Sequence, residues 1–132
     1  MRILAIAVAL VLVASNADAF SGKDLKKLKA LNVCENCDLS GANLAGANLS
    51  GANLSGANLR NANLSGAEMS GAYLAGADLS GANLSKAILQ GANFDKAKLG
   101  GANFSGADLS GAYLWDANTK EAIFCETKTP WG

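Results

Sequence analysis

Several residue types that usually support catalysis or a conventional core are scarce in this sequence. The chain of 132 residues has no histidine, one proline, two tryptophans, two tyrosines and four phenylalanines. Without histidine it lacks the commonest general base and the commonest metal ligand. The small number of large side chains also argues against a core built from a few bulky residues.

Neither sign of charge is in excess. Eleven basic residues balance eleven acidic ones. Nucleic acids and anionic membranes attract strongly basic surfaces, so this balance predicts no nucleic-acid partner. The sequence also shows no pairing of a nucleophile with a base, and three cysteines without histidine are too few for a structural zinc site. We therefore predict a non-enzymatic protein with no cofactor and no metal.

The N-terminus has the pattern of an export signal. Arg2 precedes an apolar run at residues 3–14, and residues 17–19 read Ala-Asp-Ala, a small-residue cleavage site. The run is shorter than the ~20 apolar residues that span a membrane. We predict a signal peptide at residues 1–19 and no membrane span. The mature protein would then be periplasmic or extracellular, or lumenal in a photosynthetic bacterium, where cysteines can pair.

From residue 37 to residue 126 the chain repeats with a strict period of five. Nearly every pentad has a large apolar residue at its centre and glycine in most cases two positions later. Two positions before the centre stands alanine, from Ala42 to Ala122, with Cys37 in the first pentad. The central positions are Leu39, Leu44, Leu49, Leu54, Leu59, Leu64, Met69, Leu74, Leu79, Leu84, Leu89, Phe94, Leu99, Phe104, Leu109 and Leu114, followed by Thr119 and Phe124.

A period of five suits neither common secondary structure. On an α-helix, five residues advance by about 140°, so the leucines would spiral around every side. On a strand, an odd period would point successive leucines to opposite faces. The pattern works only if the chain turns once in each repeat, with glycine supplying the turn. Leucine and alanine then face inward, and the other three residues face water.

The repeat resembles the pentapeptide-repeat family, whose pattern is A-(D/N)-L-x-x. The resemblance covers about ninety residues and implies an all-β fold, the right-handed quadrilateral β-helix, with four pentads in each coil. Eighteen pentads would make about four and a half coils and a solenoid roughly 20 Å long. We place the β-helix at residues 37–126, after an N-terminal helical cap and connector at 20–36 and before a C-terminal tail or cap at 127–132.

The cap segment predicts a short amphipathic α-helix. Ser21 and Asp24 resemble a capping box, and Leu25, Leu28 and Leu31 form an apolar stripe. Its four lysines suit either a basic helix at a membrane surface or the solvated side of a lid over the first coil. The short stripe favours the lid, and we expect Trp131 to cap the other end.

The three cysteines have different predicted roles. Cys34 and Cys37 lie in a Cys-x-x-Cys spacing without the βαβ context of a redox motif. We predict a disulfide between them that links the lid to the first coil. Cys125 lies about four coils away, too far to pair with either. It is an odd thiol, either buried or available for intermolecular pairing.

Columns of residues twenty apart make the surface of a four-pentad coil readable. One face stacks Tyr73, Asn93 and Tyr113, with Trp115 beside Tyr113; we call these four residues the aromatic face. Exposed tyrosine and tryptophan are typical of protein interfaces, and a platform that stacks on sugars has the same residues. A third interpretation is that the rings cover one another as surface packing. Asparagine columns on another face predict hydrogen bonds between stacked asparagines, and Glu68 and Asp108 are two coils apart on a third.

The predicted function is an exported, non-enzymatic scaffold or protein-interaction module that binds through the aromatic face or an end of the solenoid. The alternative is a carbohydrate- or envelope-binding module that uses the same aromatic residues. Open solenoid ends also allow end-to-end homo-oligomers. The family includes members that mimic DNA through strongly negative surfaces, and a neutral, exported chain departs from that pattern.

Overall fold

The computed structural model describes residues 20–131, so the predicted signal peptide at 1–19 lies outside the described residues. One helix, α1, spans Gly22–Leu31. After it the chain forms a coil with single-residue parallel bridges between positions twenty apart, from Val33↔Asn53 to Asp108↔Lys128. Each side of a coil contributes one bridging residue, so the described part of the chain has isolated bridges where the predicted all-β fold would have strands.

Backbone hydrogen bonds join every coil to its neighbours. The N–H of a central residue donates to a carbonyl nineteen residues later, as from Leu54 to Tyr73 (2.7 Å). The N–H of an outward residue donates to a carbonyl twenty-one residues earlier, as from Tyr73 to Ala52 (2.8 Å). These two bonds repeat along the solenoid, so the period of twenty is four pentads, as the sequence predicts.

A tight turn follows each central residue. Ala42 N–H donates to the carbonyl of Leu39 at 3.1 Å, and Gly41, between them, has φ 70°. A bond of this kind with a positive φ at the third turn position is the mark of a type II turn, which favours glycine there. We call the residue at this position of each pentad the corner residue. The glycine period seen in the sequence is thus the period of the turns.

The interior is a column of leucines and alanines. Central residues from Leu39 to Leu109 and alanines from Ala42 to Ala112 are all buried, and Phe94 and Phe104 take the place of leucine in the later coils. The rings of Phe94 and Phe104 meet edge to face at 6.0 Å, and Phe124 stacks on Phe104 at 5.2 Å. The small alanines let neighbouring segments approach closely while the central residues fill the middle.

The asparagines do not form the predicted ladders. Their side-chain carbonyls accept the backbone N–H two residues later, as in Asn63 with Ser65 (3.1 Å) and Asn103 with Ser105 (2.9 Å). This is the local Asx turn, which asparagine and aspartate share. Among residues 20–131, no hydrogen bond joins two asparagine side chains. The prediction was wrong because the nearby N–H is closer than the next coil.

Helix α1 covers the first coil. Leu25 and Leu28 of the helix are buried in the same apolar cluster as the first coil, and the four lysines of the helix are exposed. Ser21 caps the helix by accepting the N–H of Asp24 (3.2 Å), but the Asp24 carboxylate accepts the N–H of Asp38 (2.8 Å) in the first coil and does not complete a capping box. None of the helices among residues 20–131 is long and apolar enough to cross a membrane.

Two apolar residues predicted to pack at the ends are exposed. Leu31 is 63 % exposed because α1 ends there, at Asn32 in the left-handed conformation (φ 58°). Trp131 is 69 % exposed and does not cap the last coil. Phe124 at that end is only partly buried. Trp131 therefore does not form the cap that the sequence predicts.

Cys34 and Cys37 lie where the connector enters the first coil. Both are buried, their Cα atoms are 5.3 Å apart, and the structure joins their sulfurs. Cys34 N–H donates to the carbonyl of Asn53, and the carbonyl of Cys37 accepts from Asn58. A bond between them would connect the segment below α1 to the first ladder. Cys125 is free and exposed, which excludes the buried alternative.

Replacing a central leucine should destabilise the solenoid far more than replacing an exposed one. Leu74 is fully buried, so we expect Leu74→Ala to lower the free energy of unfolding by ~2–5 kcal/mol. The matched control Leu31→Ala should change it by less than about 0.5 kcal/mol. Urea unfolding followed by circular dichroism measures both values, and equal losses would contradict the inward column.

Protein purified from an oxidising compartment should contain one disulfide and one thiol. We expect its mass to rise by two hydrogens on reduction and only Cys125 to react with an alkylating agent before reduction. Reduction should lower the free energy of unfolding by ~2 kcal/mol, since the bond closes a short loop. Cys125→Ser is the control that should keep the bond. Alkylation of all three cysteines without reductant would rule the pairing out.

Candidate binding face

The structure brings the predicted aromatic residues onto one side of the solenoid. Parallel bridges join Asn53, Tyr73, Asn93 and Tyr113 in one column. The two tyrosines are 55 % and 60 % exposed, and Trp115, two residues beyond Tyr113, is 66 % exposed. Two coil steps separate the tyrosines, or roughly 10 Å at the spacing of paired strands. Three large rings thus project from a surface whose other residues are mostly small.

Each tyrosine takes a position that holds asparagine or aspartate in most other pentads. In most pentads that side chain accepts the N–H two residues later, and Asn93 does so with Asp95 (2.8 Å). A tyrosine cannot supply this acceptor. At Tyr113 the lost bond is replaced from the coil before, where the Asp95 carboxylate accepts the N–H of Trp115 (2.9 Å). Asp95 therefore fixes the backbone that carries Trp115.

A lysine completes the surroundings of Trp115. The ammonium group of Lys96 lies 5.2 Å from the centre of the Trp115 ring, a cation–π arrangement worth ~0.5–1 kcal/mol at an exposed site. Lys96 N–H donates to the carbonyl of Trp115 (2.8 Å), which places the two residues in adjacent coils. Lys96 therefore lies over the indole ring, and the Trp115 side chain is nevertheless mostly exposed.

The exposed rings do not cover one another. Within residues 20–131, ring–ring contacts join only Phe94, Phe104 and Phe124 of the interior. Tyr73, Tyr113 and Trp115 take part in none of them. Mutual packing of these side chains therefore does not explain their position.

Asp95 and Lys96 contact Trp115 but were not predicted from the sequence. Their signal is the spacing of twenty residues: Asp95 stands one coil before Trp115, in a position where earlier coils have serine or alanine. A search for departures from the repeat in pairs twenty apart would have found it. The predicted residues Tyr73, Asn93, Tyr113 and Trp115 do share one face.

Asp108 on the neighbouring face does not have the raised pKa of a general acid. Asp108 is separated from Glu68 by Ile88 in the same column. Hydrogen bonds from Ser110 (2.6 Å) and then Gln90 (2.7 Å) lower the pKa of Asp108 to about 2. A general acid needs a raised pKa. Among residues 20–131, no three cysteine or acidic side chains come together as metal ligands would.

The hydrogen bond from Trp115 to Asp95 can be tested by hydrogen exchange. We expect Asp95→Ala to speed exchange of the Trp115 amide by about three- to tenfold, because the N–H loses its acceptor. Asp95→Asn keeps a side-chain carbonyl at the same place and should leave the rate near that of the wild type. NMR measures this amide directly. Equal acceleration by both substitutions, or by neither, would contradict the bond.

Comparison with protein families supports the solenoid. The family model of pentapeptide repeats matches residues 37–74 and 67–106. Among solved structures, the chain is 35 % identical to HetL, a pentapeptide repeat protein involved in heterocyst differentiation regulation from the cyanobacterium Nostoc sp. strain PCC 7120. That match has a TM-score of 0.73 and covers 76 % of this chain and 48 % of HetL.

Two further structures are similar. A pentapeptide repeat protein of the Arabidopsis thaliana thylakoid lumen is 36 % identical, with a TM-score of 0.63 over 69 % of this chain and 61 % of that one. QnrB1, a plasmid-mediated fluoroquinolone resistance protein, is 28 % identical, with a TM-score of 0.59 over 70 % and 46 % of the two chains. The chain thus spans about half to three fifths of these structures. No curated protein sequence matches it.

These matches agree with three features of the structure: the register of twenty residues, the turns at the corners and the buried column of leucine and alanine. Such proteins fold as right-handed quadrilateral β-helices, are generally non-enzymatic and interact with other proteins. The chain belongs to the pentapeptide-repeat family.

Proposed function

We propose that this chain is an exported, non-catalytic scaffold that binds a partner protein through the aromatic face. The observation that carries this proposal is the exposure of Tyr73, Tyr113 and Trp115 on one side of a rigid coil without ring contacts among them. Such side chains offer large apolar areas with polar tips and lose little conformational freedom on binding.

The repeat itself supports selection of these residues for something other than folding. Tyrosine at positions 73 and 113 gives up the local hydrogen bond that asparagine makes elsewhere, and contributes nothing to the buried column. Around Trp115, Asp95 and Lys96 hold the backbone and the ring. A surface that is arranged in advance loses less entropy when a partner binds. Tryptophan and tyrosine are the residues that most often dominate the energy of such interfaces.

Export is the second part of the proposal. It rests on the basic residue, apolar run and cleavage pattern of residues 1–19. The similar Arabidopsis protein belongs to the thylakoid lumen, a compartment that proteins reach by export. A disulfide between Cys34 and Cys37 would agree with an oxidising compartment. The partner would then be an envelope, extracellular or lumenal protein.

Removal of the aromatic rings should abolish capture of that partner. We expect the mature protein to retain a specific protein in chemical crosslinking from an envelope extract, and Tyr73→Ser/Tyr113→Ser/Trp115→Ser to lose it while keeping its circular dichroism spectrum. The matched control Leu31→Ser/Ile88→Ser/Ile123→Ser removes three other exposed apolar side chains and should capture the same protein. Quantitative mass spectrometry compares the three samples.

Two results would decide against this face. Identical captures by the wild type and the aromatic variant would show that binding occurs elsewhere. Binding to a glycan array that depends on Trp115, with no protein captured, would favour the carbohydrate-binding alternative. The control variant separates loss of these particular rings from a general loss of exposed apolar surface.

A further inference from the structure

The space between the two tyrosines of the aromatic face is polar. Asn93 lies between Tyr73 and Tyr113 in the column of parallel bridges. Its side-chain carbonyl accepts the N–H of Asp95 (2.8 Å), and its side-chain nitrogen donates no hydrogen bond to any of the described residues. One carboxylate oxygen of Asp95 accepts the N–H of Trp115 (2.9 Å), and the other has no hydrogen bond or ion pair in the part of the chain that the structure describes. A donor and an acceptor therefore remain available between two rings.

The backbone of this face is already paired with the neighbouring coils. Tyr73 N–H donates to the carbonyl of Ala52 (2.8 Å), and the carbonyl of Tyr73 accepts the N–H of Leu54 (2.7 Å). The N–H and carbonyl of Asn93 are paired in the same way. A partner cannot add a strand where no backbone group is free, so this face is recognised through its side chains.

The spacing of the tyrosines matches one turn of a polyproline II helix. Two coil steps separate Tyr73 from Tyr113, or about 9.6 Å. A polyproline II helix has three residues in each turn and rises ~3.1 Å per residue, so side chains at i and i+3 are about 9.3 Å apart on one side. A β-strand repeats its side every ~6.8 Å and does not match two coil steps. An α-helix would match at i and i+7, but its apolar residues at i+3 and i+4 would then lie over the polar Asn93 and Asp95.

The polar groups between the rings suit the backbone and the third side of such a helix. Polyproline II carbonyls have no partner within the helix, so the side-chain nitrogen of Asn93 can donate to one of them. A side chain at i+1 or i+2 extends sideways, towards Asp95 and Trp115. A guanidinium group there is complementary in charge to the Asp95 carboxylate and can stack on the exposed indole ring. Lys96 lies over that ring (5.2 Å) and makes no ion pair with Asp95.

The edge of the face opposite Trp115 carries no side chains. The corner residue two positions before each outward residue of this column is glycine in four successive coils, and a Cβ atom added at the first three would meet nothing within 4 Å. These corners are Gly51, Gly71, Gly91 and Gly111. A straight segment can therefore lie along the column of tyrosines without meeting a side chain at this edge.

We propose that the aromatic face binds a proline-rich segment in the polyproline II conformation. Prolines at i and i+3 contact Tyr73 and Tyr113, and an arginine between them lies beside Asp95. Such a segment is extended before it binds and loses little conformational freedom on a surface of exposed aromatic rings. This inference rests on the proposed function, because it names the chemistry of the partner at the same face.

A peptide of three Pro-Pro-Arg repeats is a suitable probe, because it presents arginine between prolines whichever way the chain runs. We expect saturable shifts of the Trp115 indole signal and of the Tyr73 and Tyr113 amide signals when the peptide is titrated into the protein and followed by NMR. A peptide of three Ala-Ala-Arg repeats has the same charge but no proline. It should bind at least about tenfold more weakly, because it must be ordered on binding.

Asparagine is the substitution that tests the rings, since it is the commonest residue at the outward position and preserves the local hydrogen bond of the repeat. Tyr73→Asn and Tyr113→Asn should each weaken binding of the Pro-Pro-Arg peptide by about tenfold, because aromatic side chains dominate such contacts. The matched control Ile88→Asn/Ile123→Asn removes exposed apolar side chains from outward positions of other faces and should leave the affinity unchanged.

The spacing is tested by moving one ring along the column. Asn93→Tyr/Tyr113→Asn keeps two tyrosines but sets them one coil apart, about 4.8 Å, which is half a turn of polyproline II. This variant should bind the peptide no better than Tyr113→Asn alone.

The charge is tested by Asp95→Asn, which keeps a carbonyl acceptor for the Trp115 N–H and removes the carboxylate. It should weaken binding of the Pro-Pro-Arg peptide by about two- to fivefold, in line with the loss of an exposed ion pair. Binding of a peptide of three Pro-Pro-Gln repeats should be the same in this variant and in the wild type.

Several results would overturn the inference. Equal binding of the peptide without proline would mean attraction between charges only. Full affinity in the variant with tyrosines one coil apart would mean that the spacing is not recognised. A shift of the Trp115 indole signal by a β-linked glucose oligosaccharide, with none by the peptide, would mean that sugars occupy the face. Absence of peptide binding, while crosslinking still captures a protein through the aromatic rings, would overturn this inference and leave the proposed function standing.

Discussion

The backbone hydrogen bonds between coils are the interaction on which the rest of the structure depends. One pentad closes a turn but cannot bury its own leucine, so each coil is stable only between two others. In the middle of the solenoid, the bond from Leu54 to the coil after and the bond from Tyr73 to the coil before repeat every five residues. This requirement makes leucine and alanine nearly invariant, because any change of size at an inward position would be transmitted to the coils on both sides.

The same requirement leaves the outward positions free, and the Asx turn determines what fills them by default. Asparagine or aspartate at the outward position satisfies an N–H that is otherwise exposed, as Asn63 and Asn83 do. Residues that cannot make this bond also occur at the outward position, among them Ile88, Lys98 and Ile123. Tyr73 and Tyr113 are such residues, and Asp95 supplies the acceptor that Tyr113 lacks.

The inward pattern was predictable from the sequence, because only a chain that turns once in five residues can bury both alanine and leucine. The columns followed from the family resemblance, which supplied four pentads for each coil. Contacts between coils were harder to predict. The prediction of hydrogen-bonded asparagine ladders was wrong because the backbone N–H two residues later binds the side-chain carbonyl, which is then not available to the next coil. Asp95 was missed because its hydrogen-bond partner, Trp115, is twenty residues away in the sequence. Leu31 and Trp131 were predicted to pack on the coil because they are large and apolar, but both are exposed. Residue type alone does not show whether a side chain can contact the coil.

A net charge of zero describes the whole chain and conceals the difference between its ends. The lid segment at residues 20–36 has four lysines and two carboxylates, while residues 105–131 have four carboxylates and two lysines. At physiological ionic strength, screening over about 8 Å separates charges at opposite ends of a solenoid roughly 20 Å long. Each end therefore presents its own charge to a partner. Neutrality argues against a uniformly basic or acidic surface, as nucleic-acid binding or DNA mimicry would require, but it does not argue against a local electrostatic contact such as that of Lys96 with Trp115.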